Sequence, residues 1–301
     1  MSVRMNTKPY RINLHMHTTD SDGKLSPEEA VVRYRAEGYD AVAITDHWVY
    51  GEEREISGMK VFSGCEYNFG GNDSCNGVYH ILALFCTRDP GVTRADDPVS
   101  CVRKIHAAGG LAVLAHPAWS VNQPDLVEQI ERLEHFDATE VFNTVSGEKN
   151  SNRPYSGAFV DQMASRGTCF SLFSSDDAHY YEKDATCGAI IASLPELTRE
   201  ALIDAIRSEQ FYAVSGGKDA PTLALTETEG GLLVSCSPAV RVDIFTNSAF
   251  APGRHIVGEG ITEYEYRFAK ADRVARVEVQ DSCGRTAYSN FVRIPRKEET
   301  V

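Results

Sequence analysis

Residues 12–48 read INLHMHTTDSDGKLSPEEAVVRYRAEGYDAVAITDHW. The stretch opens on an apolar β-type run, 12–16 (INLHM), and closes on another, 41–45 (AVAIT). Between them Ser26-Pro27-Glu28-Glu29 supplies a helix N-cap, a proline at the first helical position and acids in the first turn. Ala30, Val31 and Tyr34 give that helix its apolar face. Working outward, further runs fall at 60–65, 78–85, 111–115, 138–142, 169–174 and 187–192, with helical stretches at 98–108, 124–134, 154–166 and 198–208. The runs are almost continuously apolar, as strands buried on both faces are, and strand–helix alternation of this length predicts an α/β barrel or a doubly wound parallel sheet. Only the loop GGNDSCNG (70–77) precedes the run at 78–85, so no helix is expected there.

Past Gly216-Gly217 the texture changes to short, often alternating runs at 222–226, 232–236, 240–246, 262–268, 274–280 and 287–293, broken by turn signals such as Glu229-Gly230-Gly231. This predicts two domains, an α/β unit over 1–217 and a small β-sandwich-like unit over 218–301.

The chain has 301 residues and a net charge of −13, with 30 Lys+Arg against 43 Asp+Glu. That balance argues against a protein that coats a long nucleic acid, because such binding rests on Lys and Arg. No apolar stretch is long enough for a membrane span or a signal peptide, so a cytoplasmic protein is expected. The eight cysteines form no CxxC pair and read as buried free thiols.

The chemistry gathers where the runs end. In His15-Met16-His17 both imidazoles point the same way from an extended strand, and Asp22 follows in the loop. Thr45-Asp46-His47, Gly64-Cys65-Glu66, His116-Pro117 and Asp176-Asp177-Ala178-His179 each close a strand, and His80 lies within one. Imidazoles with carboxylates in such numbers predict a multinuclear site for Zn, Mn or Fe. Taken singly, any of these residues is as readily a hydrogen-bonded strand end. No nucleophile elbow and no Gly-rich phosphate loop is present, which leaves water as the nucleophile.

Together, His15-x-His17-Thr-x-x-Ser21-Asp22-Gly23, Thr45-Asp46-His47, Glu66, His116-Pro117 and Asp177-x-His179 resemble the motifs of the polymerase and histidinol phosphatase (PHP) family, in order and spacing over residues 12–216. The resemblance implies a distorted (β/α)7 barrel with two or three divalent metal ions at its carboxyl-end mouth. It implies hydrolysis of phosphate esters by in-line attack of a metal-bridging hydroxide. Carried over by motif, the metal ligands are His15, His17, Asp22, His47, Glu66, His80, His116, Asp177 and His179. Asp177 and His179 are the candidates for a catalytic role, with Asp176 held behind the site and Asp46 orienting an imidazole. Arg153 is the candidate cation for phosphate oxygens, ahead of Arg88 and Lys183, or else a solvated arginine at a helix start, and Asn143 either orients substrate or caps the turn. Trp48 and Tyr50 either stack on a substrate ring or simply pack. His106, His135 and His255 are read as structural.

The style of the motifs favours a stand-alone phosphoesterase acting on small, nucleotide-like monoesters or cyclic diesters. The alternatives are a histidinol-phosphate-type phosphatase, a nuclease on short oligonucleotides, and a degenerate metal-binding scaffold without turnover. The expected partner is a small phosphorylated substrate, with no membrane and no long nucleic acid. The oligomeric state is not legible.

Overall fold

The computed structural model describes residues 7–71, 77–148 and 151–295. In chain order the elements are β1 (Lys8–Asn13), α1 (Pro27–Ala36), β2 (Ala41–Ala43), β3 (Arg54–Ile56), β4 (Met59–Phe62), β5 (Gly64–Phe69), β6 (Tyr79–Leu84), α2 (Pro98–Ala107), β7 (Leu111–Leu114), α3 (Pro124–Glu131), β8 (Ala138–Asn143), α4 (Gly157–Ser165), β9 (Ser171–Ser175), β10 (Ala189–Leu194), α5 (Arg199–Arg207) and β11 (Phe211–Ser215). Then come β12 (Leu223–Thr228), β13 (Gly231–Thr246), β14 (His255–Arg267), β15 (Val274–Gln280), β16 (Thr286–Ser289) and β17 (Val292–Arg293).

Of the five α-helices among the described residues, α1, α2 and α5 start at side-chain caps, Ser26, Asp97 and Thr198, whereas α3 and α4 have none and α4 starts at Gly157, three residues into the expected stretch. At α1, Ser26 Oγ accepts the Glu29 N–H (3.3 Å) while the Glu29 carboxylate accepts the Ser26 N–H (2.9 Å), and Ala30, Val31 and Tyr34 are buried. Most of the loop at 70–77 lies outside the described residues. Cys75 falls there too, and the other seven cysteines are free thiols.

The fold is mixed α/β, but the expected closed seven-stranded barrel does not form. The strands divide into a 12-stranded sheet, whose main path runs β12-β13-β15-β16-β11-β10-β1-β2-β4-β3, and a five-stranded sheet, β5-β6-β7-β8-β9. The ladder breaks between β4 and β5, where a Cβ on Gly64 would meet the Ile44 carbonyl oxygen at 2.4 Å, so only glycine allows that approach. Isolated bridges, Met16 to Ala178 and His47 to Glu66, join the two sheets beyond the strand ends.

The all-parallel expectation also needs correction. β1/β2, β2/β4, β7/β8 and β8/β9 are parallel, whereas β5/β6, β6/β7, β1/β10 and β10/β11 are antiparallel. A parallel neighbour needs a long crossover, usually helical. No helix separates β5 from β6 or β9 from β10, so the chain reverses there.

Hydrogen bonding continues across residue 217, because β16 pairs with β11 along Tyr212–Ser215. The fully buried Arg276 of β15 adds a second tie, donating to both carboxylate oxygens of Asp161 on α4 (2.6 and 2.9 Å). Among the described residues no helix is long and apolar enough to cross a membrane.

Candidate metal centre

His15 and His17 follow β1, His47 follows β2, His116 follows β7 and Asp177 follows β9, so all reach the carboxyl-end face. His80 joins them from the opposite direction. It is the second residue of β6, which runs antiparallel to β7, and its carbonyl accepts the Ala115 N–H (3.0 Å) beside His116. The loops that present these groups are tightly folded. A Cβ on Gly23 would lie 2.3 Å from the His17 carbonyl oxygen. Trp48, His116 and Asp177 have positive φ values of 61°, 28° and 53°, a strained conformation for non-glycine residues that clusters at functional sites.

Glu66 is the hub. Its Oε2 lies 3.2 Å from His15 Nε2, 3.0 Å from His17 Nε2 and 3.4 Å from His47 Nδ1. Its Oε1 lies 2.7 Å from His80 Nδ1 and 3.4 Å from His116 Nε2. Asp177 closes the floor, with Oδ1 3.2 Å from His15 and 3.0 Å from His17, and Oδ2 3.5 Å from His116. At the rim Asp22, with 54% of its side chain exposed, lies 3.5 Å from His179 Nε2 and 3.9 Å from His47 Nε2.

All nine candidate ligands therefore meet in one cluster. Their donor atoms fall into overlapping sets of metal-binding spacing: His15/His17/Glu66/Asp177 on the floor, His17/Asp22/His47/His179 at the rim, and His47/Glu66/His80 between them. The fit to bound cations rests on unmet valence. Asp177 Oδ1 and His47 Nδ1 are buried without a hydrogen-bond partner, and the Nε2 atoms of His15 and His17 face each other at 3.3 Å. Buried polar groups are normally satisfied, and convergent lone pairs are what a cation satisfies.

Electrostatics record the same crowding. Burial works to lower the His17 pKa, but the carboxylates of Asp177 and Glu66, each 3.0 Å from Nε2, outweigh it and raise it to about 9. His15 is raised for the same reason, by Asp177, Glu66 and Glu140 acting against burial. Burial opposes the ionisation of Glu66 and Asp177, yet the surrounding imidazoles hold both well below the carboxylate range. Asp22 is drawn down to about 2, burial notwithstanding, chiefly by its contact with His179. His47 is lowered by burial.

One carboxylate of the site was not foreseen. Glu140, fully buried in β8, takes the His15 Nδ1–H (2.8 Å), the His116 backbone N–H (2.8 Å) and the Asn143 amide (2.8 Å). Held through Nδ1, the His15 ring turns Nε2 toward the other ligands. An acid inside the apolar run ATEVF was the available signal, since a carboxylate buried there must be paired.

Asp46, expected to orient an imidazole, instead holds the 18–21 loop through the Thr18 N–H (2.7 Å), Thr18 Oγ1 (2.6 Å) and Ser21 Oγ (2.6 Å). Asp176 points away from the cluster and accepts from Tyr34 (2.8 Å), Thr144 (2.9 Å) and the N–H groups of Thr186, Cys187 and Gly188 (2.8, 3.0 and 2.7 Å). Of the two acids, only Asp177 reaches the other ligands.

The expected cations do not touch the cluster. Arg153 is exposed, with its N–H on the Ser146 carbonyl (2.9 Å), and Arg88 donates to the Ala107 carbonyl (2.7 Å). Lys183 makes no ion pair with the cluster acids either, whereas Lys24 lies over the Tyr180 ring (5.3 Å) beside His179. Asn143 does reach the site, 3.3 Å from Asp177 Oδ2. Trp48 packs edge-on to Tyr67 and Phe69, with Arg94 over its ring at 4.4 Å, and Tyr50 donates to the Cys86 carbonyl (3.0 Å).

No protein-family model and no curated protein matches the chain. Among solved structures, it is similar to a two-domain protein from Bacteroides vulgatus that contains a predicted PHP-like metal-dependent phosphoesterase. The TM-score is 0.55 at 16% identity, over 96% of this chain and 95% of the other. A shorter match, TM-score 0.43 and 17% identity over 57% of this chain and 89% of the other, is to an amidohydrolase from Chromobacterium violaceum solved with bound sulfate and no metal. Across nearly its whole length the chain shares the fold of that Bacteroides vulgatus protein, which fits the resemblance of its motifs.

Proposed function

We propose that the chain is a metal-dependent hydrolase of small phosphate esters. The observation that carries this reading is the Glu66 carboxylate, buried among five imidazoles beside an Asp177 oxygen that lacks a hydrogen-bond partner. When bound, divalent ions supply Lewis-acid neutralisation of phosphate oxygens and acidify water near neutral pH.

The chain's own residues do the positioning. His15, His17, Glu66 and Asp177 form the floor that holds ions, and Asp22, His47, His80, His116 and His179 complete the ligand set around it. Glu140 and Ser120 hold the Nδ1 atoms of His15 (2.8 Å) and His116 (3.0 Å), so each presents Nε2. His179 gives its Nδ1–H to the Asp177 carbonyl (2.7 Å), which leaves Nε2 for a ligand bond or for a hydrogen bond to a phosphate oxygen. Lys24 at the rim is a better placed phosphate cation than Arg153. Residues 218–295 are read as a second, all-β unit docked on the α/β unit through Arg276.

The acidic chain, with a net charge of −13, favours compact, nucleotide-like esters over long nucleic acid. The test is phosphate release from a panel of mono- and diesters by protein stripped and reloaded with Zn, Mn or Fe. Release by the loaded protein, and none from the stripped one, is expected. A fully loaded protein that hydrolyses no ester would leave a metal-binding scaffold.

A further inference from the structure

We propose that Trp119 is the platform on which the substrate's leaving group stacks, and that the esters this site prefers carry a flat aromatic ring within that leaving group. The inference deepens the phosphoester reading and rests on it.

Trp119 lies in the turn that follows β7 and His116. Its indole centroid is 4.9 Å from His116 at an interplanar angle of 81°, and 5.5 Å from His80 at 74°. Standing nearly perpendicular to two candidate ligands, the ring forms a wall at the edge of the metal-binding floor. It is 37% exposed, and among the described residues its N–H has no hydrogen-bond partner.

A single exposed indole is ordinary; a rigid one beside the cluster is not. The turn is tied by Ser120 N–H to the His116 carbonyl (3.0 Å), Asn122 N–H to the Pro117 carbonyl (3.0 Å), Ala118 N–H to Ser156 Oγ (3.2 Å) and the Asn122 amide to the Val78 carbonyl (2.7 Å). Gly77 packs so closely that a Cβ there would lie 2.3 Å from the Ser120 carbonyl oxygen. The wall is therefore set before any ligand arrives, and stacking on it costs little ordering entropy.

Trp48 offers no such surface. Tyr67 and Phe69 flank it at 5.1 and 5.7 Å, Arg94 lies over its ring, and its N–H is given to Asn68 (2.5 Å). A leaving group turned toward His80 and His116 would lie against Trp119. A planar ring gains stacking there, whereas a polyol would desolvate hydroxyls against an apolar face.

The test is calorimetric titration of the Zn-loaded protein with phenylphosphonate and propylphosphonate, whose P–C bonds resist hydrolysis, with metal content measured for every variant. Trp119→Ala is expected to weaken phenylphosphonate about tenfold, at the lower end of measured stacking effects, and to leave propylphosphonate within about twofold. Trp119→Phe keeps most of the aromatic preference. Should Trp119→Ala lose metal, Trp119→Leu replaces it, keeping bulk beside the imidazoles without a π face. Equal weakening of both probes, or of neither, overturns the proposal while leaving the phosphoester reading intact. A fully loaded wild-type protein that binds neither phosphonate overturns both.

Discussion

Among the described residues, clusters of three or more histidines and acids of metal-binding spacing form at opposite ends of the same strands. Beyond the carboxyl ends lie His15, His17, Glu66, Asp177 and their rim. Near the amino ends of β7 and β8 lie His106, His135 and Asp137, whose donor atoms also have metal-binding spacing. In the second group His106 Nε2 is 2.9 Å from Asp137 Oδ2, which also accepts the Ala112 N–H (2.9 Å), and the two imidazoles stack at 4.7 Å. His135 is 68% exposed, so water completes what the protein does not. In the first group the floor is buried, and two of the cluster's buried polar atoms lack hydrogen bonds. Spacing alone does not separate a ligand set from a surface ion pair. Burial with unmet valence does, and so does a further carboxylate such as Glu140 behind a ligand.

The sharpest way to break this contrast is at the floor. Asp177→Asn and Glu66→Gln should each lower kcat/KM on a small ester by about a thousandfold or more, because several kcal/mol of charge stabilisation leave with the metal. Normal turnover in either variant would mean the floor does no more than the surface group. Glu140→Gln should weaken metal affinity about 10- to 100-fold, read by chelator competition, with the far-UV spectrum unchanged.

A smaller effect concerns pH in the metal-free chain. The folded pKa of His17 is raised to about 9, above the ordinary value of 6.5. Its pairing therefore adds stability fully present below about pH 6.5 and lost as pH rises through about 9. The melting temperature of stripped protein should fall over that window, and metal uptake at pH 7 should release protons. A flat stability profile and proton-free uptake would show that His17 is already neutral. Least affected should be the His106→Ala/His135→Ala double variant, with metal content unchanged and activity within about twofold, as for surface substitutions away from special features. Loss of one metal equivalent there would erase the distinction between the two groups.

Much of this was legible because strands and loops have simple geometry. His15 and His17 share a face through the two-residue strand period, and the caps of α1, α2 and α5 stand in the sequence as Ser26, Asp97 and Thr198. Strand direction was not legible, since a strand buried on both faces looks alike whether its neighbour is parallel or antiparallel. That hid the reversals at β5/β6 and β10/β11, and β11 (Phe211–Ser215) is a strand beyond the expected runs. Tertiary placement was hidden as well. Trp48, adjacent to His47 in sequence, packs away against Tyr67, while Trp119, three residues past His116, folds back over two imidazoles.

The most direct test is elemental analysis of purified protein beside His17→Ala and His106→Ala. The metal-centre account predicts two or more equivalents of transition metal per chain, depleted in His17→Ala and retained in His106→Ala. Fewer than two equivalents in the wild type, or equal content in all three proteins, would contradict it.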